Sequence, residues 1–337
     1  MPLVSIVVPT LNEERYIAGL LASIEAQTYP GELIEVLIAD GGSTDETRAM
    51  VKAAADASRL GSIYLVNNPE RTTAHGLNAG AEAANGGVII ILGGHSAVDP
   101  SFVEANVEAL RRTGAAAVGG PLTTIGEGAV ASAIAASLSH PFGVGNARFR
   151  YATEAGDVDT VAFAAYRREC FELLGGFDPA KDKGEDDDFN FRIRQAGGRI
   201  HLDPEIRSTY YARSTMRGVV SQYFGYGKAK GRAFRDTREA LGPRHYVPSA
   251  MVVGGAALTA ASLFSRRSRV VLGLLSAAYG LAGAVAAQRA VARAETGAAL
   301  WRTFLVFPLV HVSYGSGMLI GAWQGRRRPE LAFEGPE

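Results

Sequence analysis

The chain is short of several things, and each shortage removes a class of function. There is one cysteine, Cys170, in 337 residues. That leaves no intramolecular disulfide and no Cys-based metal cluster, so Cys170 reads as a small buried apolar residue. Lys plus Arg and Asp plus Glu balance at 34 each, so no excess charge points to nucleic acid as a partner. No GxGxxG follows the first strand pattern, and GxxxxGK followed by Ser or Thr occurs nowhere. A dinucleotide-binding turn and a P-loop are both disfavoured on that ground. No signal peptide is expected, because Met1 to Pro9 already reads as a strand. Acids thin out after residue 240, where Ala, Gly, Val and Leu dominate. A domain boundary is therefore expected near Pro243 and Pro248.

What is present alternates. Val4 to Pro9, Leu33 to Ala39, Ser62 to Val66, Val88 to Leu92 and Ala115 to Val118 are short apolar runs of the buried parallel-strand type. Between them lie helical patterns. Asn12 opens one with Ile17, Leu20, Leu21 and Ile24 on its buried face. Ser43 or Thr44 caps a second, with Glu46 in its first turn; Ala74 to Ala84 and Pro100 to Arg112 form two more. This alternation predicts an α/β fold with a parallel, doubly wound sheet, whose ligand sits beyond the carboxyl ends of the strands. Those ends are Pro9-Thr10, Asp40-Gly41, Asn67 to Arg71 and Gly93 to Asp99, all polar or Gly-rich.

A second stretch, GGFDPAKDKGEDDDFNFRIR from Gly175 to Arg194, places four acids in succession, Glu185 to Asp188, at the start of a helix. Phe189 and Ile193 share one face of that helix, and Gly197-Gly198 stops it. Acids at a helix start suit the macrodipole. Four in a row exceed that need, and like charges this close raise one another's pKa.

Five segments in order carry a family resemblance: VSIVVPTLNEERYIAGLLASIEAQTYP, LIADGGSTDET, HGLNAGAEAANGGVIIIL, VAFAAYRRECFELLGGFDP and GEDDDFNFRIRQAGG. Together, from Pro2 to about Gly231, they resemble a family-2 glycosyltransferase of the GT-A fold. HPFGVGNARFR, VDTVAFAAYRRE and QYFGYG are most similar to the branch containing bacterial succinoglycan-type glucosyltransferases. The resemblance implies a nucleotide-sugar, UDP-linked by family majority, lying across the sheet. Pro9, Thr10, Asn12 and Glu13 would line the nucleoside, with Asp40 and Arg71 contacting the base and Gly94 and His95 completing the donor site. It implies inversion, with Asp186 as general base and Glu185 and Asp187 as flanking or acceptor-binding acids. Asp45 reads as a first-turn helix acid rather than a ligand. Asp187, Arg213, Arg217 and Arg148 are the expected diphosphate and acceptor contacts. Ser139 to Arg150, with His140, Asn146 and Arg148, reads equally as an acceptor-side loop made movable by Gly143 and Gly145 or as a structural loop.

The chain departs from the family at the Asp-x-Asp or Asp-x-His position, which here reads Gly93-Gly94-His95. Three arrangements remain open. His95 with the diphosphate and Asp99 holds a divalent cation, Mg²⁺ or Mn²⁺; or Arg213 and Arg217 replace the metal; or activity is lost. A single imidazole is a poor site for cations that prefer oxygen.

Tyr246 to Phe264, Val270 to Gln288 and Thr303 to Gln324 are uncharged and each about 20 residues, the length that crosses hydrocarbon. An Ala-rich soluble helical hairpin is the alternative. Arginines fall in every connector (Arg266, Arg267 and Arg269; Arg289, Arg293 and Arg302; Arg326 to Arg328), so the positive-inside rule leaves topology and the number of crossings open. Gly273, Ala277 and Gly280 suit close helix contact. The expected organisation is a GT-A domain over residues 1–240, a membrane-associated helical region over 241–325 and a polar tail over 326–337. The catalytic part would face the cytoplasm at the inner membrane. It would move a hexose to a lipid-linked saccharide in polysaccharide or glycolipid synthesis, among membrane lipids and other polysaccharide-assembly proteins and without nucleic acid. Transfer to polyprenyl phosphate, or a silent sugar-nucleotide-binding role in an assembly complex, are the alternatives.

Overall fold

The computed structural model describes residues 1–145, 147–181, 183–236, 243–294 and 297–324. Asn146, Arg326 to Arg328 and the expected tail lie outside the described residues. The strands are β1 (Val4–Thr10), β2 (Ile34–Asp40), β3 (Ser62–Asn67), β4 (Val88–Ile91), β5 (Ser96–Val98), β6 (Ala117–Gly120), β7 (Leu122–Ile125), β8 (Gly156–Asp157), β9 (Ala162–Arg167), β10 (Ile200–Leu202) and β11 (Ser208–Tyr211). The helices are α1 (Ile17–Glu25), α2 (Thr47–Ala57), α3 (Thr73–Ala83), α4 (Phe102–Thr113), α5 (Ala129–Leu138), α6 (Pro141–Val144), α7 (Arg168–Leu174), α8 (Glu185–Gln195), α9 (Met216–Asp236), α10 (Pro243–Ser262), α11 (Arg266–Arg293) and α12 (Leu300–Gln324).

Among the described residues, eight strands form one sheet in the order β3-β2-β1-β4-β9-β6-β10-β8. It is mostly parallel, with β9 running antiparallel between β4 and β6, and β8 antiparallel at the edge. β1 and β2 are buried nearly throughout because helices cover both faces. The period of two divides their side chains. Val4, Ile6, Val8, Ile34, Val36 and Ile38 pack with α1, α2 and α4. Val7 and Leu37 face α3, α7 and α8. Pro9 sits in β1 without harm, because pairing with β4 ends at Val7 and leaves no ladder bond for Pro9 to donate on that side. β5, β11 and β7 make a second, small sheet.

Local starts differ from the sequence reading. α1 begins at Ile17, not at Asn12, because Asn12 adopts a left-handed φ of 56°. Asp45, rather than Ser43 or Thr44, meets the first amide of α2, accepting from Thr47 N at 3.1 Å. Ser43 Oγ instead accepts from Asn12 N at 2.9 Å and ties two strand-end loops together. Cys170 is buried as expected, its thiol pushed up to about 11 mainly by burial.

The C-terminal helices meet the rest of the protein through α9, which lies along α12. The contact is backbone on backbone. A Cβ added at Gly227 would stand 2.0 Å from Tyr314 O, and one at Gly231 2.1 Å from Met318 O; from the other side, Gly317 faces Phe224 O at 2.2 Å and Gly321 faces Lys228 O at 2.1 Å. Two small-residue ridges at spacing four therefore interlock. Gly273 and Gly280, the expected close-contact positions, have nothing within 4 Å. Gly143 is no hinge either, since a Cβ there would meet Ser137 O at 2.2 Å. Among the described residues two helices, α11 and α12, are long and apolar enough to cross a membrane, with best-window mean hydropathy of 2.0 and 1.5. The first expected segment, now α10, falls short of that mark. Leu274, Leu275, Leu281, Trp301 and Trp323 stand exposed on these helices.

Candidate active site

Two linked features occupy the carboxyl edge of the sheet: a knot of strand-end loops and a deep cavity beside it. In the knot, Asn12 Oδ1 accepts from Thr44 N at 2.9 Å, and Glu13 N donates to Thr47 Oγ1 at 2.8 Å. Asp40, 2% exposed, receives the amides of Gly42 and Ser43 and the Arg48 guanidinium at 2.7 Å. Arg71 holds a left-handed φ of 60°, costly for a non-glycine residue, with its backbone against Gly41. Gly94 packs on Glu13, where a Cβ would stand 2.8 Å from Cγ. Thr10 Oγ1 is buried with no hydrogen-bond partner among the described residues. The fold thus gathers Thr10, Asn12, Glu13, Asp40, Arg71 and Gly94 at one edge. Pro9 and His95, with Gly93, reach on into the cavity.

The cavity measures about 810 Å³ and runs from Gly93 and Asp186 to α10, α11 and α12. Its acidic wall is the start of α8. Phe189, fully buried, packs with Tyr166, Phe171 and Phe177 and anchors the helix. Beneath it, Tyr166 OH donates to Asn190 Oδ1, and Asn190 Nδ2 to Thr160 Oγ1. The GLNAG and GGFD stretches meet here, because Asn78 Nδ2 donates to Phe177 O and Asn78 Oδ1 accepts from Phe177 N, each at 2.8 Å.

The four acids divide into pairs. Asp188 is bound by Arg192 at 2.9 Å and Lys181 at 3.4 Å, and Asp187 by Lys230 at 3.2 Å from α9. Arg192 also donates to Leu174 O and Gly176 O, closing the end of α7. Glu185 and Asp186 have no salt-bridge partner among the described residues. Asp186 lines the cavity and is half-buried, with part of its surface open to it. Burial first, then repulsion from Asp187 and Glu185, pushes its pKa up to about 8, against the amide of Asp187 at 2.8 Å and the charge of Lys230. Burial also raises Glu185.

Of the expected basic contacts, Arg213 lines the cavity and Arg217 does not. Arg148 turns toward Glu154 O at 3.4 Å, and Arg150, two residues on, takes the cavity wall. Arg150 donates to Thr124 Oγ1 and lies over the Tyr210 ring at 5.6 Å. Lys183 sits over Tyr226 at 5.8 Å, and Gln222 Nε2 donates to the hydroxyls of Tyr226 and Tyr210. The sequence reading missed Arg150, Lys183, Gln222, Tyr226 and Lys230. The signal for α9 was legible in QYFGYGKAK, where Gln222, Tyr226 and Lys230 recur every four residues on one helix face.

His95 Nδ1 lies 2.9 Å from Glu13 Oε1, and its ring packs against Tyr16 and Tyr210. Two donors are therefore close at the Gly93-Gly94-His95 turn. Among the described residues no group of three or more His, Cys, Asp or Glu side chains gathers to hold a metal ion. The donor set does not by itself fit a resident divalent cation.

The fold and this edge define a glycosyltransferase of the GT-A type. The chain matches the description "Glycosyl transferase family 2" over residues 5–175, and it belongs to that family. It is 33% identical over 243 residues to the dolichyl N-acetyl-alpha-D-glucosaminyl phosphate 3-beta-D-2,3-diacetamido-2,3-dideoxy-beta-D-glucuronosyltransferase of Methanococcus voltae, covering 70% of this chain and 75% of that one. It is 30% identical over 248 residues to the succinoglycan biosynthesis protein ExoA of Rhizobium meliloti, covering 73% and 74%. Among solved structures it resembles the mannosyltransferase PcManGT of Pyrobaculum calidifontis, solved with GDP-Man and Mn²⁺, with a TM-score of 0.67 at 21% identity over 96% of this chain and 87% of that one. The S. aureus TarS 1-349 structure with UDP-GlcNAc gives a TM-score of 0.53 at 15% identity, covering 93% and 90%. These structural likenesses establish the fold.

Proposed function

We propose that the protein transfers a hexose, with inversion, from a nucleotide-sugar to a lipid-linked saccharide. The observation that carries this reading is the carboxyl of Asp186, without a salt-bridge partner among the described residues, in a cavity that runs from the strand tips to the apolar helices. A base with a pKa of about 8 is matched to taking a proton from an alcohol near neutral pH. In this reading the nucleoside rests on the Asp40 and Arg71 loops and the sugar reaches toward His95. The acceptor hydroxyl approaches Asp186, which removes its proton as the oxygen attacks the anomeric carbon and the nucleoside diphosphate leaves. Glu185 orients the acceptor, and Asp187 is held by Lys230.

The leaving diphosphate needs positive charge. Arg213, Lys183 and Lys230 line the cavity and supply it. The catalytic unit spans residues 1–240. Residues 241–325 hold it on the cytoplasmic face of the inner membrane, where nucleotide-sugars are found, and the acceptor enters along α10 to α12. The names of the Methanococcus and Rhizobium relatives, a dolichyl-phosphate-sugar transferase and a succinoglycan biosynthesis protein, support a lipid-linked or polysaccharide acceptor.

Thermal stabilisation of the detergent-solubilised protein by a panel of UDP-, GDP- and dTDP-sugars tests the donor. Stabilisation by one base class is expected, and none by any of them sinks the reading. Release of the nucleoside diphosphate in membranes, with EDTA and with Arg213→Ala, tests the charge assignment. Abolition by EDTA with full turnover in the variant would overturn it.

A further inference from the structure

A second cavity, of about 230 Å³, adjoins the first and shares Leu122 and Arg150 with it. It is closed by β7, the end of α5 and the last turn of α11. Its charged and titratable lining is Arg150, Arg293, His140 and Tyr151, and no carboxylate among the described residues lines it. Hydroxyls of Thr123, Thr124 and Ser139 complete the wall. Neither Arg150 nor Arg293 forms an ion pair among the described residues. Phe142 N donates to His140 Nδ1 at 3.1 Å, which leaves the neutral ring a proton on Nε2 to offer. Burial lowers the His140 pKa first, and Arg293 and Arg289 lower it further, as expected where positive charge has no acid to answer it.

Arginine in the last turn of a helix has an ordinary explanation, the helix dipole. That accounts for Arg293 on α11, but not for Arg150 arriving from a separate loop, nor for the space between them. Guanidinium forks on two sides, an N–H donor and hydroxyls are the chemistry of a phosphate site. Its depth fits as well. Arg293 ends one of the two helices apolar enough to cross a membrane, which sets it where lipid phosphates lie.

We propose that this cavity holds a phosphate group carried by a lipid, either the diphosphate of the acceptor or the headgroup of a neighbouring phospholipid. Because Arg150 also walls the first cavity, a phosphate held there directs whatever is attached to it toward Asp186. Only the choice of source rests on the proposed function; the site itself does not.

The test uses the full chain in nanodiscs, wild type against Arg293→Gln and Arg293→Lys. Native mass spectrometry measures retention of a polyprenyl diphosphate against the free polyprenol, and of phosphatidylglycerol against phosphatidylcholine. Retention of the phosphate-bearing lipid is expected to fall about tenfold in Arg293→Gln and to recover in part in Arg293→Lys. Loss confined to the polyprenyl diphosphate assigns the acceptor; loss confined to phosphatidylglycerol assigns the headgroup. Unchanged retention of both overturns the proposal. Failure of the transferase reading would show separately, as absent donor stabilisation of the wild type.

Discussion

The sheet and the helical roof solve opposite problems. In the sheet half, buried carboxylates are held by hydrogen bonds and a guanidinium, although Thr10 Oγ1, Asn68 Oδ1, Asn106 Oδ1 and His201 Nε2 are buried without a partner among the described residues. Glu35, 4% exposed near the start of β2, accepts from Ser5 Oγ at 2.6 Å and from Gly86 N at 3.2 Å, and Asp40 closes its own loop. In the roof, α9 and α12 approach through glycines, and apolar side chains are left facing outward. The candidate site lies where the two styles meet, and there Asp186 has no salt-bridge partner among the described residues. Hydrogen-bonded carboxylates mark one half and close apolar packing the other, while the Asp186 carboxyl, the proposed base, accepts from the Asp187 amide and lines the cavity.

Four substitutions sharpen or break that contrast. The largest effect belongs to Asp186→Asn, expected to lower turnover about 10²–10⁴-fold while leaving Tm unchanged or higher. The sign follows from the proton count. A carboxyl raised from 3.8 to about 8 binds more protons folded than unfolded, so it costs stability as pH climbs through that interval. For the same reason, wild-type kcat/KM should rise with pH and level off above about 8. A pH-rate profile falling over that range would remove Asp186 as the base.

Next comes Gly227→Leu, which forces α9 from α12 at a cost of about 3 kcal/mol. Thermal unfolding in detergent should drop sharply, whereas the equivalent change at the open Gly273 should be silent. Lys230→Met frees Asp187 and removes a charge that lowers the Asp186 pKa. Turnover should fall about tenfold, and the rising limb of the pH profile should move to higher pH. The smallest effect is Glu35→Gln, about 1–2 kcal/mol. Burial alone would raise Glu35, but its hydrogen bonds from Ser5, Asn85 and Gly86 hold it below the usual range. Its contribution is therefore present at neutral pH and lost on acidification through its folded pKa. The gap between wild type and variant in denaturant melts at neutral pH should shrink only as the pH is taken well below the ordinary glutamate value of 4.5.

The strands β1 to β4, the helix face of α1 and the acid run with Phe189 and Ile193 inward were all legible, because period and composition act locally. β9 was not. It runs antiparallel between β4 and β6, and nothing in AFAAYR announces direction. Likewise Arg150 could not be told from Arg148 by residue type, since the choice is made by a turn that places Arg150 over Tyr210. The division of the acids into paired and unpaired depended on Lys230, which lies 43 positions from Asp187 in the sequence and reaches it only once α9 is in place.

The glycine seam between α9 and α12 has a practical result for anyone handling this protein. Trimming the greasy tail to obtain a water-soluble fragment would strip the backing from the very helix that carries Lys230 and Tyr226. The cavity beside the sheet would lose a wall, so on the proposed function a shortened version should bind donor weakly and turn over poorly however well it dissolves.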